Sequence, residues 1–144
     1  MNYSKFALLS TAGILAVAAA CSSAPNTVKT TTESTTRTAG GSVKTTSETK
    51  EVGTTLVGKS ETTADTRYGT SKSKTETVVG TVTVYTAGKS IEVMTGEKKM
   101  HSFSLDDRDI TYSVDRCVAV GERVTVIDEK GDDKVHRITV KLGG

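Results

Sequence analysis

The fold class is decided by the stretch Val78-Val79-Gly80-Thr81-Val82-Thr83-Val84. Valine and threonine are β-branched residues, which are enriched in strands. Val78, Val82 and Val84 have the same parity, with Gly80 between them, so one side of the stretch is apolar. This period of two predicts a β-strand with one buried face.

The same alternation continues towards the C-terminus. Apolar residues of one parity recur in short runs: Ile91 and Val93; Phe103 and Leu105; Ile110, Tyr112 and Val114; Val118 and Val120; Val124 and Val126; Ile138, Val140 and Leu142. Turn-forming residues separate several of these runs, at 87–89, 95–97 and 129–133. We expect residues 77–144 to form a small all-β domain, an antiparallel barrel of five to seven strands, because closure hides sheet edges without a covering helix.

The order of these strands resembles a small β-barrel domain of exported bacterial proteins. The similar segments are Gly80-Thr81-Val82, Ser90 to Val93, Phe103 to Asp106, Val120 to Val126 and Ile138 to Val140. They span about residues 79–141, and their motifs are typical of strands rather than of one chemistry. The resemblance implies an OB-like or SH3-like barrel, and it implies no catalytic residues.

The segment before this domain is polar. Between Thr27 and Thr77, 24 of 51 residues are threonine or serine. Six large apolar residues lie among them, too few to offset the backbone ordering cost of about 1–2 kcal/mol for each residue. The composition therefore predicts that residues 21–76 are a mostly disordered tether.

A repeat of about fifteen residues complicates that prediction. Lysines recur at this spacing, and the first four are followed by serine or threonine one and three positions later: Lys29, Lys44, Lys59, Lys74 and Lys89. Glycines between the repeats could mark turns. The alternatives are polar hairpins that dock on the neighbouring domain, or a rigid array with a threonine face similar to ice-binding repeats.

The N-terminus has the pattern of an export signal. Lys5 is followed by fifteen uncharged, mostly apolar residues, Phe6–Ala20. A spanning helix needs about 20 such residues, whereas the hydrophobic part of a signal peptide is shorter. Residues 1–20 are therefore predicted to be a signal peptide.

The cleavage site resembles the lipobox of bacterial lipoproteins, in the residues Ala18-Ala19-Ala20-Cys21. Ala18 departs from the leucine usual at that position. The resemblance implies that Cys21 becomes the lipidated N-terminus and holds the protein on a bilayer. Ser22, where inner-membrane lipoproteins of Gram-negative cells have aspartate, implies the outer membrane, on its periplasmic face or at the cell surface.

The charge and the cysteine content argue against a nucleic-acid-binding protein and against a fold held by an internal disulfide. The net charge is +2, and it falls to +1 when Lys5 is removed with the leader, so no strong field would attract nucleic acid. The basic residues are matched by acidic ones, and the aromatic stacking surface of oligonucleotide-binding barrels is missing. If Cys21 carries lipid, Cys117 has no partner for a disulfide, and we expect this lone thiol to be buried.

Three patterns resemble functional sites. Gly53-Thr54-Thr55-Leu56-Val57-Gly58-Lys59-Ser60 fits the phosphate-binding loop, but no plausible strand precedes it and no helix follows, so we interpret it as a coincidence. The acidic segments 106–109 and 128–133 do not match a calcium loop and are interpreted as solvated turns.

The third pattern is a possible metal site. His101 and His136 each begin a strand with the parity of its buried residues, so that with Cys117 they could bind zinc or copper. No short ligand spacing supports such a site. We expect no catalytic residues, no cofactor and no enzyme activity.

Three functional classes remain open. The favoured one is a membrane-anchored adaptor that presents the barrel to an envelope protein or to the cell wall. The second is a structural or surface spacer in which the threonine-rich repeats carry the role. The third is a periplasmic sensor that binds a metal or small ligand through His101, His136 and Cys117.

Overall fold

The computed structural model describes residues 13–15, 27–132 and 135–143. Most of them lie in strands, and no helix occurs in this part of the chain. A short strand at the N-terminus precedes nine others. The strands are β1 (Gly13–Leu15), β2 (Thr27–Thr38), β3 (Gly41–Val52), β4 (Thr55–Thr66), β5 (Gly69–Thr86), β6 (Ser90–Met94), β7 (Met100–Ser104), β8 (Ile110–Val114), β9 (Arg123–Gly131) and β10 (His136–Leu142).

The polar segment forms an antiparallel meander. Strands β2, β3, β4 and the first half of β5 pair in sequence order, joined by two-residue turns at 39–40, 53–54 and 67–68. Gly53 has φ of +61°, a left-handed conformation that glycine adopts without steric cost. We call residues 27–76 the polar meander.

Strand β5 joins this meander to the apolar part of the chain. Residues 69–79 pair with β4, and residues 73–81 pair with β9 on the other side. From Thr81 onward, β6 takes the place of β4 as the neighbour of β5. The register of this pairing shifts between Val82 and Val84. A Cβ at Gly80 would overlap the Met94 carbonyl, so only glycine allows β6 to come this close.

The C-terminal strands fold around one hydrophobic core, and we call residues 77–143 the core module. Strand β10 pairs antiparallel with β9 and parallel with β8, and β6 pairs with β7. The buried side chains are Val78, Val82, Ile91, Val93, Phe103, Leu105, Val118, Val124, Val126, Ile138 and Val140. The predicted all-β class is thus confirmed, as are most of the predicted core residues.

Four of the apolar residues that were predicted to face inward are exposed instead: Val84, Tyr112, Val120 and Leu142. For Val84 the cause is the bulge after Val82, since one extra residue turns the following side chains to the other face. Val118 and Val120 lie in an irregular connection rather than in a strand.

The predicted closed barrel is wrong, because the sheet is open. Strand β8 is at one end of the strand order, and β7 pairs only with β6 in the described chain. The second half of β5 and strands β6–β10 belong to the same sheet as the polar strands before them.

The prediction of a disordered tether is also wrong, since residues 27–66 form three twelve-residue strands. The burial of side chains alone does not explain why these residues form ordered strands. Each strand of the meander pairs along its length with the next, and β4 pairs with a strand that belongs to the core module. Strand β5 runs without a break through residue 76, where the tether was predicted to end.

The predicted signal peptide and Cys21 lie largely outside the described residues; only the backbone of Gly13–Leu15 is described there, paired with Thr31–Glu33. In the described ranges, the chain forms no helix of the length and apolarity that crossing a membrane would need.

Candidate functional site

The strand register sorts the side chains of the polar meander onto two chemically different faces. Because neighbouring residues of a strand point to opposite faces, the paired positions of adjacent strands form rows on the same face. One row contains Glu48, Lys59, Glu76 and Asp128, and the next row on the opposite face contains Thr49, Gly58 and Thr77. One face is therefore charged, and the other carries hydroxyl groups.

The lysine repeat explains this division. Each antiparallel strand reverses the parity of the residues that point to a given face. An odd spacing of fifteen therefore keeps Lys29, Lys44, Lys59 and Lys74 on the charged face of four successive strands. The serine or threonine that follows each lysine lies on the opposite face.

Charges of both signs lie close together on the charged face. Lys59 lies opposite Glu48 on one neighbouring strand and Glu76 on the other, and its Nζ is 3.7 Å from Glu76 Oε1. Lys74 Nζ is 3.6 Å from Glu61 Oε2. Such exposed pairs contribute little stability each, typically below about 1 kcal/mol. Like charges also lie opposite each other, at Glu76 and Asp128 and at Lys74 and Lys130.

A groove runs along this charged face. Its larger part has a volume of about 410 Å³, and a second part of about 220 Å³ shares Glu48 and Lys59 with it. The charged side chains that line the two parts are Glu48, Lys50, Lys59, Glu61, Lys74, Glu76, Glu97, Lys99, Asp128 and Lys130, together with His101. Five carboxylates and five ammonium groups make the lining nearly neutral overall.

Asp128 stands at the buried end of this groove, on β9. Its side chain is 9% exposed, and one carboxylate oxygen is 2.6 Å from His136 Nε2. The other oxygen is 3.1 Å from Lys130 Nζ. A buried carboxylate is costly unless it is paired, and these two partners satisfy it. Asp128 was predicted to lie in a solvated turn; it lies instead in the sheet.

His101 lies on β7, at the boundary between the core and the groove. Its Nδ1 is 3.7 Å from Glu76 Oε1, and its buried Nε2 has no hydrogen-bond partner in the described chain. Burial lowers the pKa of His101 from its usual value, Glu76 partly opposes that effect, and the charges of Lys99 and Lys59 add to it.

The two histidines therefore face different carboxylates that are themselves neighbours, since Glu76 and Asp128 pair across β5 and β9. Both histidines have the parity of the buried residues in their strands, as predicted. In the described part of the chain, however, no three histidine, cysteine or acidic side chains form a group that could hold a metal ion.

Cys117 is not part of the groove, and it is exposed rather than buried as predicted. It lies in the connection between β8 and β9, where the chain turns, beside the buried core residue Val118. Its thiol is free.

The segment that fits a phosphate-binding loop has a different structure. Gly53 and Thr54 form the turn between β3 and β4, and residues 55–60 continue as strand β4. The helix that a phosphate site requires after the loop is replaced by a strand, which agrees with the interpretation as a coincidence.

In the acidic segment 106–109, Asp106 accepts a hydrogen bond from Ser104 Oγ and Asp107 accepts one from the Asp109 amide.

The opposite face of the meander carries hydroxyl groups. Thr45 and Thr62 lie 3.1 Å apart through their Oγ1 atoms, and Ser47 and Ser60 lie 3.0 Å apart through Oγ. Two rows of serine and threonine therefore form direct hydrogen bonds across β3 and β4.

The turn between β3 and β4 contacts the core module. Thr55 Oγ1 accepts a hydrogen bond from the Gly96 amide at 2.7 Å and donates one to the Val52 carbonyl at 2.8 Å. Lys50 and Glu97 form an ion pair of 2.5 Å next to it, and Arg123 donates to the Thr54 carbonyl. These contacts fix one end of the groove.

No family model, curated protein or solved structure matches this chain.

Sequence reasoning missed the carboxylates and lysines of the groove. Composition alone makes Glu48, Lys59, Glu61 and Glu76 resemble the solvated charges of a tether. The lysine spacing was the signal that could have placed them, because an odd period in strands joined by two-residue turns keeps one residue type on one face.

Proposed function

We propose that this protein is an exported lipoprotein of the bacterial envelope and that its charged groove is a binding site for another envelope component. The anchor is supported by the sequence at residues 6–21, an uncharged apolar stretch that ends in Ala18-Ala19-Ala20-Cys21. Lipid on Cys21 and retention at the outer membrane follow from the resemblance to lipoproteins and from Ser22.

The ordered meander changes the geometry of the proposed anchor. Only residues 22–26 separate Cys21 from the start of β2. Five extended residues reach at most about 18 Å. The proposed protein therefore has its sheet close to the bilayer, instead of a domain on a long flexible tether.

The single observation that carries the binding role is the groove with its balanced charges. Lys59 lies between Glu48 and Glu76, and Asp128 and Lys130 add one charge of each sign on β9. A balanced lining with charges of both signs complements a ligand with both signs, such as an extended peptide with acidic and basic side chains, better than a nucleic acid or a simple anion. An envelope protein or a peptide-bearing cell-wall polymer has this chemistry.

A structural role for the repeats is the second candidate, and the hydroxyl face favours it. Strands β2–β4 are twelve residues each, about 40 Å long, with polar groups on both faces. The sensor built on His101, His136 and Cys117 has no such support, because Cys117 lies outside the groove and no metal group is formed in the described residues.

The anchor is tested by replacing Cys21 with alanine in cells that are fed a clickable palmitate analogue. We expect the parent protein to be labelled and to sediment with membranes, and the Cys21→Ala variant to lose both properties. Ser23→Ala is the matched control, because it changes a neighbouring residue without removing the thiol. Label that persists in Cys21→Ala would contradict the proposal.

The binding site is tested with a photo-crosslinking amino acid at two adjacent positions, Glu48 and Ser47. These neighbours point to opposite faces, Glu48 into the groove and Ser47 onto the hydroxyl face. The proposed site predicts one dominant crosslinked component from position 48 and none from position 47. Capture from position 47 alone would favour the structural role, and equal capture from both would exclude a specific groove.

A further inference from the structure

The outer face of the hairpin formed by β6 and β7 carries two exposed methionines. Apart from Met1, Met94 and Met100 are the only methionines of the sequence. Methionine is usually a buried residue, but the core here is built from valine, isoleucine, leucine and phenylalanine. Met94 is 38% exposed and Met100 is 47% exposed. These two side chains therefore do not fill the core, and both reach the solvent.

The strand register places the two side chains directly opposite each other. Met94 pairs with Met100 across β6 and β7. At the next position of this ladder, the Thr95 amide donates to the Lys99 carbonyl, so residues 95 and 99 form a hydrogen-bonded pair. Because the two kinds of pair alternate, Met94 and Met100 form a non-hydrogen-bonded pair, in which side chains are closest. Cβ atoms in such positions are about 4.5–5.5 Å apart.

The side chain of Met100 extends across β6. Its Sδ is 3.9 Å from Thr83 Oγ1, which belongs to β5. Since β6 lies between β5 and β7, this contact brings the sulfur of Met100 over the strand that carries Met94. The two thioether groups are therefore within reach of one bound atom.

Contacts at the turn hold this end of the hairpin in place. The Lys99 carbonyl accepts hydrogen bonds from both the amide and the hydroxyl of Thr95. The Gly96 amide donates to Thr55 Oγ1 on β4, which ties the turn to the polar meander. A ligand that binds next to a turn held in this way orders few groups, and such preorganisation favours affinity.

The chemistry of the pair indicates the class of ligand. Thioether sulfur is a soft ligand that selects Cu(I), whereas zinc and calcium prefer other donors. The neighbouring charge also favours a cation. Glu92 lies two residues before Met94 in β6 and therefore on the same face, whereas Lys99 lines the groove on the opposite face.

We propose that Met94 and Met100 bind one soft monovalent metal ion, such as Cu(I), between their sulfur atoms. The ligands of this site differ in type from the histidine, cysteine and acidic groups considered for the groove. The proposal does not depend on the lipid anchor or on the groove ligand.

Methyl NMR of the full-length protein, purified in detergent and carrying 13C in its methionine methyl groups, tests the site. Ag(I) is the probe, because it shares the charge and softness of Cu(I). Every variant also carries Cys21→Ala and Cys117→Ala, since thiolates bind such ions themselves. We expect the signals of Met94 and Met100 to shift together and to saturate at one Ag(I) per chain, with the Met1 signal unchanged.

Replacement of either sulfur tests whether both are ligands. Met94→Leu and Met100→Leu each preserve an apolar side chain of similar volume. Because two linked ligands bind more tightly than one, we expect each variant to weaken Ag(I) binding, measured from the remaining methyl signal, at least about tenfold. Val84→Leu is the matched control: Val84 is exposed on the same face, opposite Glu92, and both sulfurs remain.

Four results would each overturn the proposal: no shift with Ag(I), a shift of one methionine signal alone, an unchanged affinity in Met94→Leu or Met100→Leu, or an equal loss in Val84→Leu. Two further measurements separate this site from the groove. Zn(II) at the same concentration should leave the methionine signals in place, and His101→Gln should leave the Ag(I) affinity unchanged. If Zn(II) shifts the signals as Ag(I) does, or if His101→Gln abolishes the shift, the two thioethers are not the site.

Discussion

The polar meander and the core module are parts of one sheet, but different interactions hold their strands together. In the core module, side chains such as Ile91, Val93 and Val126 are completely buried. In β2, by contrast, no side chain is buried. One region is ordered by the removal of apolar surface from water, and the other by backbone ladders and by cross-strand pairs of polar groups.

Strand β5 shows how the two kinds of order are connected. Its first half pairs with β4 and β9, and its second half supplies Val78 and Val82 to the core. The core fixes β5, β5 provides a paired edge for β4, and β3 and β2 follow by short turns. Each polar strand therefore adds to an edge that already exists, so its two faces need not be buried.

Truncation of a buried side chain should show the largest difference between the regions. We expect Ile91→Ala to reduce the free energy of unfolding by about 2–5 kcal/mol, because it leaves a cavity in the core. Val43→Ala removes methyl groups from a side chain that is 40% exposed in the meander, and we expect a loss below about 1 kcal/mol. Urea unfolding measures both variants.

If the two variants lose similar free energies of unfolding, side-chain packing stabilises the meander more than the exposure of its side chains indicates. If Ile91→Ala unfolds the protein in buffer, Ile91→Val provides the measurable member of the pair, with an expected loss of about 0.5–1.5 kcal/mol.

The contrast between the regions also explains what could be read from the sequence. Period-two alternation predicted the strands that contain Ile91, Phe103, Val126 and Ile138, since burial on one face imposes that pattern. It could not predict the bulge after Val82 or the parallel pairing of β8 with β10, because both depend on contacts between segments distant in the chain.

The meander was missed for a different reason. An estimate based on burial assigns no stabilisation to Thr30 or Ser47, and such residues then appear disordered. The sequence pattern that predicts these strands is the one that sets their register. The lysine spacing and the glycines near the turns specify which residues face each other, and cross-strand pairs depend on register rather than on hydrophobicity.

The contact between the two regions should show an intermediate effect. Thr55→Val keeps the shape of the side chain but removes the Oγ1 atom that accepts from the Gly96 amide and donates to the Val52 carbonyl. Leaving such a group without its partner costs about 1–3 kcal/mol. We expect amide exchange in β3 and β4 near this turn to become about tenfold faster or more, with exchange in β9 and β10 unchanged.

Thr63→Val is the control for that experiment, because it makes the same replacement in β4, eight positions from Thr55. Equal acceleration by both variants would show that the hydroxyl contact at Thr55 does not hold the regions together. Acceleration that extends to β9 and β10 would show that the meander and the core module open as one unit.

The smallest expected effect is a pH dependence at His101, where the apolar core meets the charged face. The pKa of His101 is below its ordinary value of 6.5, mainly through burial, while Glu76 opposes the shift and Lys99 and Lys59 add to it. The unfolded chain thus binds a proton at this histidine at a higher pH than the folded chain does. Below about pH 6.5 the unfolded state gains this proton first, so the contribution of His101 to stability falls as the pH decreases.

Thermal unfolding between pH 7.5 and pH 5 measures this dependence. We expect His101→Gln to flatten the decrease in melting temperature below pH 6.5, because glutamine cannot take up the proton. The comparison is repeated in a His136→Gln background, so that the second histidine is absent from both members of the pair. If the profiles with and without His101 are parallel, the burial of this histidine between core and groove has no consequence for stability. If they separate only below pH 6.5, the boundary between the two regions contains a group whose protonation opposes folding.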